Sequence, residues 1–523
     1  MASIYNDKFG DRFARVAALR PARGRAMRGA GFECNDTSAT PGDPGELARL
    51  LGATVTRNRY GEHLLIRQWF PTPEPCLSEN DSRAERVLRL LLPRGADSKR
   101  DTRLARDPGQ WLFLDTETTG LSGGSGMYAF LVGVAWWESG GLQVEQFFMR
   151  DFDEEHALLQ TLQERMSERR VLVTFNGKTF DWPLLDTRYR MTRAIEPRAP
   201  AVHLDFLHPA RQLWRPRLTS VRLAELERHV LRVSRGSQLD WTRDADVDSS
   251  LIPALYFNFV RGGAAGPLVP VFHHNQMDLR GLAAIAGRVV EVLAGCDPHE
   301  LPQGPAQSSR AAHLVSKSDE SPTAAPAELE ENADDAMDVY GLARLLERRG
   351  EPALARKTYR AALAAGLPAR FERAVRRDLA RLSKRAGDLP GAVELWESLL
   401  GGKRASKSEI GGISAAQSLT LERILLRGVT ADGADGGGQL RDTLEACEQL
   451  AIYFEHHTRA LDRATQLTEH GLALLRRSRG APRRFALFGD GGDFRGKFES
   501  RFTHRLARLS RKANRAESLL VRA

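Results

Sequence analysis

Four short apolar runs dominate the chain between residues 111 and 175. WLFLD (Trp111–Asp115), AFLVGVAWW (Ala129–Trp137), LQVEQFFM (Leu142–Met149) and VLVTF (Val171–Phe175) are rich in aromatic and β-branched residues and bounded by turn residues, so they read as strands. The ESGG turn between the second and third runs implies antiparallel neighbours. The helical periodicity from about Glu154 to Arg169 instead permits a crossover into the fourth. Strands interleaved with helices make residues 111–298 a mixed α/β domain. Upstream, residues 46–110 hold a short helical pattern (ELARLLG) and then TVTRNRYGEHLLIRQWF, a hairpin turning at Tyr60-Gly61. They are expected to form a small N-terminal lobe packed on that domain.

Residues 1–45 are rich in Arg, Gly and Pro without apolar periodicity and read as a disordered basic arm. Residues 299–336 are Pro-, Ser- and acid-rich, with eight acidic and no basic residues from Asp319 to Asp338, and read as a linker. Limited proteolysis is expected to cut there and to let the two halves separate. Helical periodicity fills residues 337–480, where Gly350 and Ala355 recur 37 residues later as Gly387 and Ala392. That period is close to the 34 residues of tetratricopeptide repeats. CEQLAIYFEHHTRALDRATQLTEHGLALL forms a further such unit beyond a Gly-rich break, and residues 481–523 read as a basic C-terminal tail.

Composition changes this picture only modestly. The chain has 523 residues, 76 Lys and Arg against 67 Asp and Glu, and a net charge of +9, a balance that fits a polyanionic partner without requiring one. Cys34, Cys76, Cys296 and Cys447 are far apart and form no zinc-ligand pattern, which points to reduced thiols in a cytosolic protein. No apolar stretch approaches the length of a membrane span, so no membrane partner is expected.

The candidate chemistry lies in three places. Strand WLFLD runs into DTETTG, where alternation sends Asp115 and Glu117 to one face and Thr116 to the other. VTFNGKTFDWPLL follows the fourth strand and spaces Asn176, Phe180 and Asp181 as N-x-x-x-F-D. VFHHNQMDLRGLAAIAGRVV is an amphipathic helix carrying Asp278, with His274 four residues and His273 five residues before it. Each has an ordinary explanation taken singly: a capped turn, a helix-capping aspartate, a solvated helical acid.

In that order within one α/β domain, the three segments resemble the exonuclease motifs of the DEDD superfamily. The segment from His203 to Leu231, followed by RGSQLDW and SSLIPALYFNFVRGG, narrows the resemblance to the YprB-type ribonuclease H-like family, whose members often add tetratricopeptide repeats. The resemblance implies a five-stranded mixed sheet flanked by helices, cytoplasmic residence, and metal-dependent 3′ to 5′ hydrolysis of DNA or RNA. It further implies two Mg²⁺ or Mn²⁺ ions about 4 Å apart. Asp115 would bridge them, with Glu117 and Asp278 on one ion and Asp181 largely on the other.

A histidine would take the proton of the attacking water. Residues four apart share a helix face, which favours His274 over His273 provided the helix has begun by then. Thr116, Thr118, Gly120, Asn176 and Arg211 are expected to touch substrate. Arg211 heads a basic run with Arg215, Arg217 and Arg222, and Asp205 reads as structural. The helical repeats are expected to dock a protein partner or the substrate. A nucleic-acid-binding or scaffold protein with this fold and weak or no turnover is the alternative reading.

Overall fold

The computed structural model describes residues 44–295, 326–401, 436–478 and 494–520, without positions 73, 76, 78–81, 93–97, 121–125, 197, 234–240, 242, 244 and 245. The basic arm, most of the linker and the Gly-rich break lie outside the described residues.

After helix α1 (Pro44–Leu51), strands β1 (Thr54–Asn58) and β2 (Gly61–Phe70) form the hairpin. Helices α2 (Ser82–Leu91) and α3 (Ser98–Ala105) lead into β3 (Trp111–Thr118), β4 (Ala129–Glu138) and β5 (Gly141–Phe148). Then come α4 (Glu155–Glu168), β6 (Val171–Thr174), α5 (Asp181–Thr192), β7 (Val202–Asp205), α6 (Leu207–Trp214), α7 (Leu223–Leu226), α8 (Ile252–Val260) and α9 (Val269–Ala294). One sheet runs β1-β2-β5-β4-β3-β6-β7; β6 and β7 are parallel to β3 and the remaining pairs are antiparallel.

The sheet therefore has seven strands where five were expected. The hairpin does not stand apart as a lobe but pairs along β5 from Leu64↔Phe148 to Phe70↔Leu142. An unpaired β5 would expose a row of backbone groups, and Leu64 and Ile66 of β2 are buried once the edge is covered. β3 is buried on both faces: Trp111 and Phe113 join one apolar core, Leu112 and Leu114 the other. The C-terminal half of α9 lies over the first face, while α4, α5 and α8 cover the second. That continuation sets which way each carboxylate at the end of β3 points.

Beyond residue 325 the described residues are helical apart from short turns. Helices α10 (Pro326–Arg349) and α11 (Pro352–Ala364) form one hairpin, α12 (Ala369–Arg385) and α13 (Leu389–Leu399) the next. Gly350 and Gly387 end α10 and α12 at φ of 84° and 81°, the left-handed conformation that glycine adopts without steric cost. A third pair, α14 (Gly436–His456) and α15 (Leu461–Ser478), packs with α16 (Phe494–Leu520).

Three expectations change here. Residues 326–336, read as linker, are helical, and the end of the acidic run, from Asp334 to Asp338, docks onto the α/β domain because that domain supplies its cations. Asp338 is buried and accepts from Trp214 Nε1 at 2.9 Å, Arg217 at 3.2 Å and Arg288 at 2.9 Å. Asp334 meets Arg217 at 3.1 Å and Arg232 at 3.2 Å. The apolar core accordingly continues from the sheet through α6 and α9 into α10, α11 and α12, so the halves are not independent.

The basic tail also contains the long helix α16, which buries Phe498, Phe502 and Leu509. Its cations Arg505, Arg508 and Lys512 converge on Glu455 at 2.7, 2.7 and 2.8 Å. Among the described residues, no helix is long and apolar enough to cross a membrane.

Candidate active site

The end of β3 is shaped by a bulge between Glu117 and Thr118 in its pairing with β4, a device that re-aims side chains at strand ends. Asp115 and Glu117 continue the face of Trp111 and Phe113, beneath α9. Helix α9 comes close because Gly133 sits opposite Asp115 on β4, and a Cβ there would lie 2.1 Å from the Asn275 side-chain oxygen. Asn275, buried on α9, donates to Asp115 Oδ2 at 2.8 Å, while its own oxygen accepts from Gln146 Nε2 at 2.9 Å. The chain Gln146–Asn275–Asp115 thus orients the first carboxylate.

Asp181 begins α5 on the opposite face of the sheet. Thr116, which alternation turns to that face, donates to Asp181 Oδ1 at 2.6 Å. Asp205 at the end of β7 holds the intervening loop, accepting from the backbone N–H of Asn176 at 2.8 Å, of Lys178 at 3.1 Å and of Leu207 at 3.1 Å. Asn176 adopts φ of 74°, which asparagine tolerates better than most side chains. Carboxylates from both faces therefore meet around one strand end.

Helix α9 starts at Val269, so His273 and His274 are both helical. His273 is exposed. His274 is buried, with Nδ1 at 2.7 Å from Asp246 Oδ1 and Nε2 at 4.0 Å from Glu117 and 3.7 Å from Asp278. Arg243 closes the cluster, donating to Asp278 at 2.5 Å, to Glu227 at 2.6 and 2.7 Å and to Asp246 at 3.0 Å.

Electrostatics follow from this crowding. Burial raises Asp115 well above the carboxylate range, and Asp278, Glu117 and Asp181 add to the rise against the hydrogen bond from Asn275. Burial likewise lifts Glu117 to about 8 despite His274, and Asp181 to about 6 despite the Thr116 hydroxyl. Burial works against the charged form of His274, but the Asp246 hydrogen bond and the charges of Asp278 and Glu117 outweigh it and hold the ring at about 9. These are the signs of a cluster short of positive charge.

Asp115, Glu117, Asp181, Asp278 and His274 are thus brought together. Thr118 is nearby but donates to the Gly120 carbonyl at 2.7 Å, and Thr116 serves Asp181, so both hydroxyls stabilise the site itself. Asn176 and Arg211 lie together in an adjacent cavity. Sequence reasoning missed Arg243, Asp246, Glu227 and Asn275. The acidic pattern at residues 244–248 was a visible signal, but nothing in it singled out Asp246.

The donor chemistry suits a hard divalent cation, since all four acids offer oxygen and Glu117 is buried beside the half-buried Asp115, Asp181 and Asp278. Among the described residues, however, no three His, Cys, Asp or Glu side chains stand close enough to hold an ion without moving. Asp278 is turned to Arg243, Asp181 to Thr116 and Asp115 to Asn275.

A family model of the RNase H superfamily matches residues 112–290. The "Uncharacterized protein YprB" of Bacillus subtilis (strain 168) is 38% identical over 176 residues, which make up 33% of this chain and 40% of that protein. The chain thus spans about two-fifths of the length of the curated relative it matches.

Proposed function

We propose that this ribonuclease H-like domain is a divalent-cation-dependent nuclease that removes nucleotides from the 3′ end of DNA or RNA. Asp115, Glu117, Asp181 and Asp278 hold Mg²⁺ or Mn²⁺, and His274 is the general base. The observation that carries the reading is the gathering of Asp115, Glu117, Asp181 and Asp278 around the end of β3, where the other three carboxylates all oppose ionisation of Asp115. Such crowding costs stability unless a cation offsets it. When bound, the ions would orient the scissile phosphate and stabilise charge on its oxygens.

The protein's own groups supply the rest. Asp246 fixes the tautomer and tilt of His274 through Nδ1, leaving Nε2 between the Ser249 hydroxyl at 3.4 Å and the carboxylates of Asp278 and Glu117, near which the attacking water would lie. The Asp246 hydrogen bond first, and then the neighbouring Asp278 and Glu117 carboxylates, favour the protonated ring. Once those charges are balanced, the ring falls toward its ordinary value and can accept a proton at Nε2. Phe180, 58% exposed beside Asp181, offers a flat apolar face on which a terminal base can stack.

One observation favours a second reading. Arg243 already neutralises Asp278, as expected of a nucleic-acid-binding protein that keeps the fold with weak or no turnover. End-labelled DNA and RNA oligonucleotides incubated with Mg²⁺ or Mn²⁺ decide between them, with Asp115→Asn as control. A ladder shortening from the 3′ end, absent in the variant, supports the exonuclease. Oligonucleotide binding with no metal-dependent product supports the second reading.

A further inference from the structure

A cavity of about 800 Å³ opens beside the loop that carries Asn176, between α6, the segment following it and α10. Five arginines line it: Arg211, Arg215 and Arg222 from the α/β domain, Arg344 and Arg348 from α10. Among the described residues that line it there is no carboxylate. Arg217 belongs to the same basic run but faces away, paired with Asp334 and Asp338. The run thus divides into one structural arginine and three that surround a cavity.

We infer that this cavity binds the sugar-phosphate backbone of a single strand whose end lies at Asp115 and Asp181, so that the helical region supplies part of the substrate site. The inference rests on the nuclease reading and extends it to α10. Arg344 and Arg348 are four residues apart on α10, and Arg211 on α6 stands four residues before Arg215, the helical cap that ends it, so each element turns an i,i+4 arginine pair to one space. Guanidinium is the side chain that best matches phosphate oxygens in pairs. Gathering five around one cavity, with no carboxylate among its described lining residues, creates a positive field that favours a polyanion.

Thr219, Ser220 and Gln212 add neutral donors of the kind that position a backbone without reading sequence. Phe175 and Asn176 also line the cavity, and Asn176 stands five residues before Asp181. The volume falls in the small-ligand range of roughly 300–1,000 Å³, which suits a few nucleotides of one strand rather than a duplex. Asp338 fixes α10 against Trp214, Arg217 and Arg288 and thereby sets the spacing of the two arginine pairs.

The test is fluorescence anisotropy of the full chain in EDTA with a labelled 15-nucleotide oligothymidylate across a NaCl series, so that turnover plays no part. Each lost phosphate contact on a single strand lowers the slope of log K against log salt by roughly 0.7. Arg344→Gln/Arg348→Gln should lower it by about 1.4 and weaken binding roughly tenfold or more at low salt. Arg211→Gln/Arg222→Gln should do the same. Arg344→Lys/Arg348→Lys, which keeps the charge, should largely retain the slope, and melting curves report whether each variant folds.

Arg57→Gln/Arg59→Gln, on the hairpin at the far edge of the sheet, controls for loss of net charge. An Arg344/Arg348 variant that is folded yet indistinguishable from this control overturns the inference while leaving the nuclease reading intact. Inorganic tripolyphosphate binding as tightly as the oligonucleotide also overturns it, by reassigning the cavity to a small polyanion. No oligonucleotide binding by the wild type also overturns the inference, and the nuclease reading then stands or falls on the metal-dependent cleavage assay.

Discussion

Replacing Glu117 by Gln should make the metal-free protein melt higher, with a gain that grows with pH. Glu117 is buried and its carboxyl is raised from 4.5 to about 8, chiefly by burial, with Asp278, Asp181 and Asp246 adding to the rise against His274. The unfolded chain releases this proton near 4.5 and the folded chain near 8. Between those values the folded state binds more protons, so stability falls as pH rises. The interval from 4.5 to about 8, at about 1.4 kcal/mol per pH unit, sets a ceiling of about 5 kcal/mol. Glutamine is isosteric and neutral and removes this cost, although His274 then loses an ionic neighbour at 4.0 Å. A net gain of about 2–4 kcal/mol should raise Tm by roughly 5–10 °C at pH 8. Melting by circular dichroism in EDTA from pH 5 to 9 measures it: the two curves should nearly coincide at pH 5 and diverge upward. Adding Mn²⁺ should then raise the wild-type Tm more than that of the variant. A variant that melts at or below wild type at pH 8 would refute the reasoning, because it would mean that the Glu117 charge is already compensated.

Three further outcomes are expected. His274→Ala should lower turnover by on the order of 10² to 10⁴-fold with Mn²⁺ binding retained, whereas His273→Ala, at an exposed position, should be mild; the reverse order would exclude the Asp246–His274 pair as the base. Cleavage between residues 299 and 325 should leave two fragments that co-elute on gel filtration, since the core and the Asp338 network cross the cut; separation in mild buffer would show that this contact is weak. Burial opposes ionisation of Glu455, but Arg508 and Lys512 pull it down to about 2, so the stability it contributes should be intact above its unfolded value near 4.5 and lost as pH falls through about 2. The Tm gap between wild type and Glu455→Gln should therefore be constant from pH 7 to 5 and narrow below; a gap that widens on acidification would contradict the sign.

The strand runs, the hairpin at Tyr60-Gly61 and the three acidic motifs were legible because each is a local pattern: alternation, turn chemistry, or fixed spacing from one element into the next. Alternation alone set Asp115 and Glu117 on one face, and helical periodicity set His274 over Asp278 once the helix began at Val269. The two extra strands escaped because whether a hairpin forms a lobe or extends a sheet depends on which edge is unpaired, here that of β5. The end of the acidic run and the basic tail, read as part of a linker and as a tail, became docked helices because each found its opposite charge far away in the chain: Asp338 at Arg217 and Arg288, beside Trp214, and Glu455 at Arg505, Arg508 and Lys512. Arg243 and Asp246 reached the site the same way, while Asn275 came on α9 beside His274. Local periodicity is carried by a residue and its near neighbours in the chain, so sequence by itself determined the elements and the acids they present. Charge pairing and edge pairing act through space, so the tertiary structure alone decided the partners of those acids and the union of the helical region with the α/β domain.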